Sequence, residues 1–331
     1  MYNGWSISST FPKCVTIFIY VWTAYISITR VKVVPFELLL VLIICTVSLG
    51  IYTYSEVISV GPGSPIDFPD LAIKNLHDVE MGAELPPEYL TSRSLTMKHD
   101  GRFRICQTCM FWKPDRCHHC SSCNRCILKM DHHCPWFAEC IGFKNQKYFI
   151  QFLFYCTSYS IIVLFVTSIQ IYHWFRSTSY EYEFIDFKLL TVWLLAIVIF
   201  ISLVLFTGFS VFQLLGNQTT IELYAYRRYK AELNIIGDLD GSENINIFDL
   251  GSRYENWKDV MGNSWLEWLL PIETYKSKRS KNTLDEKGLF FAVNLGINGR
   301  LLNNIGLQDR LFRRLAARPS TESTRPFIED F

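Results

Sequence analysis

The chain has 331 residues, 11 cysteines and a net charge of +1; half of its residues are hydrophobic and 15% are aromatic. A near-neutral balance with no long basic block argues against a nucleic-acid partner. The apolar residues gather in long runs, which argues against a string of ordinary soluble domains.

Four runs are long enough for a bilayer, which takes roughly 20 residues. The first is expected over Phe11–Thr29, between Lys13 and Arg30, and is rich in Thr, Ser and Tyr. The second is expected over Val33–Tyr54, after a turn of a few residues. Residues 61–90 read as loop, because "GPGSP", "DFPD" and "LPPEY" break any helix repeatedly. The third and fourth spans are expected over Tyr148–Phe175 and Leu189–Leu215. Beyond them, Gln218–Leu233 reads as an interfacial helix. Asn246–Pro271, dense in Trp, reads as a segment packed on the membrane or on the cysteine-rich region. From Tyr275 the chain reads as a solvated tail, and no internal repeat is evident.

Lys and Arg set the expected orientation. The loop from Val57 to Lys147 carries 11 of them, whereas the connection from Arg176 to Lys188 carries only those two among three acidic residues. Both termini and the cysteine cluster are therefore expected in the cytosol, where thiols stay reduced. Arg30 and Lys32, in the first turn, depart from that rule.

Between the second and third spans, residues 106–140 carry eight cysteines and four histidines. Cys106/Cys109, Cys120/Cys123 and Cys123/Cys126 have the spacing that lets two thiolates reach one metal ion, and structural zinc takes four such ligands. Two zincs use eight of the twelve candidates. Few large apolar residues lie in this region, so metal is expected to hold it together. Spacing alone leaves open which of His132 and His133 binds metal.

The run "CQTC…KPDRCHHCSSCNRCILKMDHHCPWFAECIGFKNQKYF" resembles the cysteine-rich domain of the DHHC protein S-acyltransferases. "TTIE" (Thr219–Glu222) is similar to that family's second motif, and Asn246–Pro271 to its C-terminal aromatic motif. "HDGRFR", "WFAEC" and "WLEWLLPIE" resemble the vacuolar palmitoyltransferases of yeasts. The resemblance implies an α-helical integral membrane protein: four transmembrane helices, with a cytosolic zinc-stabilised domain between the second and third. The expected divisions are residues 1–56 with two spans, a loop over 57–105, the catalytic zinc domain over 106–150, two spans over 148–215, and a cytosolic region over 216–331.

It also implies two Cys₃His sites. One takes Cys106, Cys109, His119 and Cys126; the other takes Cys120, Cys123, His133 and Cys140. Cys117, His118, His132 and Cys134 are left over. A free thiol is only a few per cent thiolate near neutrality, a limit that a base held by a carboxylate removes. The resemblance makes Cys134 the nucleophile toward a fatty acyl-CoA such as palmitoyl-CoA, His132 its base, Asp131 the group orienting His132, and Thr220 the group steadying Asp131. Lys113 and Arg116 are candidates for the CoA phosphates. Trp136 is expected to close the mouth of an acyl cavity, and Tyr159, with Tyr155, to line it. Ala138-Glu139 departs from the family, which often carries Asn before the last zinc cysteine.

The implied partners are membrane lipid and cytosol-facing proteins with membrane-proximal cysteines, including an armadillo-repeat vacuolar protein. The implied location is the vacuolar membrane. A RING-like scaffold would use all its paired ligands and need no Asp-His pair beside a spare cysteine. A metal transporter would place ionisable residues inside the spans, and these runs have almost none.

Overall fold

The computed structural model describes residues 7–94, 103–177, 181, 184–227, 246, 248–273, 284 and 287–292. They divide into two compact units. One combines residues 1–62, 133–213 and 260–274; the other combines 63–132, 214–259 and the C-terminal remainder.

The first unit holds four long helices: α1 (Ile7–Arg30), α2 (Phe36–Val60), α5 (Gln146–Arg176) and α6 (Phe187–Leu215). All four are long and apolar enough to cross a membrane, so the chain is a multi-pass membrane protein. Each begins or ends a few residues outside its expected run. α1 carries Pro12 in its second turn, where the ring removes one bond of the helical ladder. α1 and α2 approach closely at Gly50, where a Cβ would lie 2.9 Å from the Tyr20 hydroxyl. α1 meets α5 through the tilted Tyr20 and Tyr159 rings, 5.1 Å apart, and through a 2.7 Å hydrogen bond between the Thr23 and Tyr159 hydroxyls. The short α1–α2 turn is fastened by Gln170 of α5, whose Oε1 accepts from the Lys32 and Val33 amides. Arg30, which departs from the charge rule, pairs with Asp186 at 3.2 Å, so its charge is locally offset.

Six short strands form three two-stranded antiparallel hairpins: β1 (Ile105–Cys106) with β2 (Phe111–Trp112), β3 (His118–Cys120) with β4 (Arg125–Ile127), and β5 (His132–Cys134) with β6 (Glu139–Ile141). They repeat with a 14-residue period, contrary to the expectation of no repeat. Cys106, Cys120 and Cys134 each close an outgoing strand. Four positions on, Met110, Asn124 and Ala138 each adopt the left-handed conformation, with φ of 57°, 48° and 49°. "CHHC" at 117–120 and "DHHC" at 131–134 are the same element of two successive copies.

The second unit corrects the reading of residues 61–90 as plain loop. Two 3₁₀ turns (Pro65–Asp67 and Pro69–Leu71) and two helices, α3 (Leu76–Glu80) and α4 (Glu88–Arg93), lie there. Ser64 caps the first turn and donates to the Cys126 carbonyl at 2.8 Å, and the Ile73 amide donates to the Met110 carbonyl at 2.8 Å. Leu71 and Leu90 are fully buried, so this segment supplies apolar core that the cysteine region lacks.

After α6, a helix α7 covers residues 220–227; of the expected Gln218–Leu233 helix, Gln218 and Thr219 precede it and residues 228–233 lie outside the described ones. α8 (Arg253–Met261) follows, then α9 (Trp265–Leu269) in the first unit. The orphan carbonyls at the end of α9 are capped from α5: Gln151 donates to the carbonyls of Glu267, Trp268 and Leu270, and Lys147 to that of Ile272.

The tail also needs correction at one place. Leu289 and Phe290 are buried, with Phe290 under the Arg93 guanidinium and edge-on to Tyr89. The residues beyond 292 lie outside the described ones.

Candidate active site and metal centres

Two groups of four Cys and His residues can each hold a metal ion: Cys106, Cys109, His119 and Cys126; and Cys120, Cys123, His133 and Cys140. Both are the sets that the family resemblance implied. In the first, His119 Nδ1 lies 3.5, 3.2 and 4.0 Å from the sulfurs of Cys106, Cys109 and Cys126. Tetrahedral zinc with ordinary bond lengths puts a sulfur and a nitrogen about 3.6 Å apart, and these three spacings bracket that value. In the second group, the Cys123 amide donates toward the Cys120 sulfur, as the Cys109 amide does toward Cys106. His133 Nδ1 lies 3.7 Å from the Cys140 sulfur. Burial, together with neighbouring thiols, pushes the Cys109 thiol up to about 12. Thiols so crowded do not ionise together unless a cation joins them, which is the electrostatic mark of a metal site. Cys117 is buried against Cys106 and Cys126.

The "TTIE" stretch is a helix cap. Thr219 is the N-cap of α7: its Oγ1 accepts from the Glu222 amide, and Glu222 reaches back to accept from the Thr219 amide. Thr220, at the first helical position, turns its amide away from that reciprocal pair and toward Asp131. The Thr220 amide and hydroxyl both donate to Asp131 Oδ1, at 2.6 and 3.1 Å. The other carboxylate oxygen of Asp131 faces His132 Nδ1 at 2.7 Å. Burial would raise the Asp131 carboxyl. The bond and charge of His132, with the two Thr220 donors, outweigh it and hold the carboxyl below its ordinary value. Since an ionised carboxylate only accepts, His132 Nδ1 carries the proton and Nε2 is left basic.

Glu222 is in turn gripped by Arg116. The guanidinium donates to both of its oxygens at 2.7 and 2.9 Å, and to the side chain and carbonyl of Asn217 at 3.0 and 2.9 Å. Burial would raise Glu222, but the Arg116 charge and bonds keep it below its ordinary value. Arg116 itself is 2% exposed and lies under the Phe248 and Phe291 rings. The expectation that it meets CoA phosphates is corrected: its donors are turned inward, onto the second motif. Sequence reasoning missed this role because an arginine in a loop reads as surface charge. Lys113, the other phosphate candidate, is half-buried.

Lys129 was also missed. It is 4% exposed, adopts a left-handed backbone and points its ammonium over the Phe291 ring. Burial, with Arg116 nearby, lowers it to about 8, while Asp259, Glu222 and Asp131 pull the other way.

Cys134 is 5% exposed at the end of β5. Side chains alternate along a strand, so His132 and Cys134 share one face of β5 and His133 takes the other. Trp136 is 57% exposed on the turn that follows, and its carbonyl accepts from the Tyr54 hydroxyl at 2.6 Å. Tyr159 is buried with its hydroxyl on Thr23 of α1; Tyr155, one turn earlier, is half-buried.

Comparison with known proteins bears on the same residues. Residues 99–227 match the family described as DHHC palmitoyltransferase. The chain is 56% identical to palmitoyltransferase PFA3 of Saccharomyces cerevisiae, over 98% of its own length and 97% of that protein. It is 47% identical to the protein of that name from Candida glabrata, over 97% of each chain. It is 33% identical to palmitoyltransferase ZDHHC15 of Xenopus laevis, over 68% of its length and 65% of that protein. With its metal-ligand sets, its Asp131–His132 pair and identity at this level across nearly the whole chain, the protein belongs to the DHHC palmitoyltransferase family.

Proposed function

We propose that this S-palmitoyltransferase moves palmitate from palmitoyl-CoA to cysteine thiols of cytosol-facing proteins by a ping-pong route through S-acyl Cys134. The observation that carries the reading is the buried Asp131 carboxylate, bonded to His132 Nδ1 on one side and to Thr220 on the other. His132 Nε2 takes the proton of Cys134, and the thiolate attacks the thioester carbonyl. The bond to the CoA sulfur breaks, and CoA leaves as the thiol with that proton. A substrate cysteine then gives its proton to His132, attacks the acyl group and displaces Cys134, which takes the proton back. Asp131 keeps the imidazole in one tautomer and steadies its charged form.

Zinc suits both Cys₃His groups and would supply no reacting group, only a fixed frame for the hairpins. The catalytic zinc domain is then residues 106–150, between paired spans. Lys113 remains a candidate contact for the CoA phosphates. Trp136 and Tyr159 are proposed to border the acyl chain. A sixteen-carbon chain prefers lipid over water by roughly 12 kcal/mol, at about 0.8 kcal/mol per methylene, so a thiol at the bilayer surface lets it stay apolar throughout.

The charge of the loops supports termini and zinc domain on the cytosolic side. The resemblance to vacuolar enzymes of yeasts supports the vacuolar membrane, with an armadillo-repeat vacuolar protein among the substrates. Asn217-Gln218-Thr219 is an N-glycosylation sequon that on the cytosolic side is expected to stay unmodified, in keeping with a side chain 4% exposed and bonded to Arg116; a glycan there would overturn the orientation.

The test is incubation of the purified full chain with labelled palmitoyl-CoA. Label that stays through denaturation and leaves with neutral hydroxylamine is the expected result; no such adduct overturns the reading. Protease accessibility of tagged termini on sealed vacuoles checks location and orientation together.

A further inference from the structure

We infer that Phe137, at the place where the first two hairpins carry a second ligand cysteine, seats the Cys134 thiol on the long helices α2 and α5. The 14-residue repeat carries the argument. In the first two copies a cysteine closes the outgoing strand, and a second cysteine follows three residues on: Cys106 with Cys109, and Cys120 with Cys123. The left-handed residue comes next, and each second cysteine's amide points at the first cysteine's sulfur. The third copy keeps the fold of the turn. Cys134 stands where Cys106 and Cys120 stand, and Ala138 takes the left-handed place. The ligand position between them holds Phe137, and its amide donates to the Cys134 carbonyl oxygen instead. His133 and Cys140 match His119 and Cys126, each pair completing the metal group opened by the hairpin before it; the positions that would complete a group opened at Cys134 hold Lys147 and Phe154, so Phe137 stands at a turn that opens no third metal group.

What replaced the ligand is the anchor of the hairpin. Phe137 is 1% exposed. Its ring lies 4.8 Å from that of Tyr54 on α2, and 6.0 and 5.1 Å from those of Phe149 and Phe152 on α5. Tyr54 also holds the turn through the Trp136 carbonyl, and Asn145 ties the Cys140 carbonyl to that of Val57 at the end of α2. This side chain thus roots the Cys134 hairpin between two of the long helices. Phe137 is a positioning residue.

This inference rests on the proposed role of Cys134. Phe137→Ala and Phe137→Leu test the seat. The alanine variant is expected to keep two zincs per chain and its KM for palmitoyl-CoA, while kcat falls about 10- to 100-fold, the scale on which small misplacements act. Leucine is expected to restore most of that loss. An alanine variant with wild-type kcat overturns the positioning role, as does one whose only change is lost zinc. A wild type that forms no hydroxylamine-labile adduct would instead sink the reading of Cys134; the seat is then read from maleimide labelling of Cys134, 5% exposed in the seated hairpin, which Phe137→Ala is expected to speed, and an unchanged labelling rate overturns it.

Discussion

The four long helices and the hairpins of the zinc region are ordered by opposite means. α2 and α6 are apolar for 25 and 29 residues, and their order comes from backbone bonds inside each helix and from an apolar surround. The hairpin strands are two or three residues long, too short to persist on ladder bonds alone. Their order comes from specific atoms: sulfurs and imidazoles at fixed spacing, and one arginine on one glutamate. A helix face tolerates exchange among apolar residues of similar bulk. A ligand or a buried charge tolerates almost none. Chemistry placed in the second region inherits that intolerance, which suits a thiol that must meet a base at one geometry.

The largest effect expected of any substitution is that of Cys134→Ser. It should abolish the hydroxylamine-labile adduct while zinc stays near two per chain, because Cys134 lies outside both ligand groups. Loss of a full zinc equivalent would break the division between metal and nucleophile.

Metal removal separates the two regions directly. Structural zinc supplies on the order of 10–16 kcal/mol of apparent binding energy. A strong chelator should therefore open residues 103–141 to protease while helical circular dichroism persists. His133→Ala should lose zinc and protease resistance; His132→Ala should keep both and lose turnover. Equal zinc loss in the two variants contradicts the assignment.

The arginine–glutamate grip comes next. Glu222→Gln leaves the Arg116 charge buried without its partner, a change that costs about 3–5 kcal/mol. Thermal unfolding should drop accordingly. Replacing both, Arg116→Met with Glu222→Leu, should recover much of the stability but not the activity, since the Thr219 cap still lacks its carboxylate.

Lys129 gives a pH-dependent version of the same contrast. Its ammonium is lowered to about 8, below the value of a lysine in the unfolded chain, so folding carries a cost while both states are protonated. That cost is fully present below pH 8 and disappears as pH rises toward the unfolded value. Lys129→Met should thus be the more stable protein at pH 7, by on the order of 3 kcal/mol at most. The gap should close as pH rises above 8. A gap that does not change with pH would mean that the ammonium is solvated.

The smallest effect belongs to the helices. Tyr159→Ala should shift use from palmitoyl- toward stearoyl-CoA in a graded way, since one methylene in an apolar pocket discriminates by about 1–3 kcal/mol. Competition between the two thioesters measures it. An unchanged ratio would leave Tyr159 as packing for Tyr20 and Thr23 alone.

The sequence disclosed the spans and the ligand chemistry because both impose strict patterns: run length for a bilayer, and residue type at fixed spacing for a metal. Other features leave no such trace. Leu71 and Leu90 are isolated apolar residues in a segment full of helix breakers, and nothing periodic announces that they are buried. The burial of Arg116 follows from partners about 100 positions away, at Asn217 and Glu222. The hairpin repeat is visible as "CHHC" and "DHHC" 14 positions apart, yet substitution hides it: Trp112 and Phe137 stand where another copy has a ligand cysteine. Only the shared turn conformation makes the copies equivalent.

The order of the ligands along the chain also sets a schedule for synthesis. The first Cys₃His group is complete at Cys126 and the second at Cys140, before any residue of α5 exists. At ribosomal speeds of about 5–20 residues per second, the two groups become available within about one to three seconds of each other. Both metals can then load while only half of the membrane helices have been made, whereas Asp131 and Arg116 must wait for Thr220 and Glu222, which follow the last span.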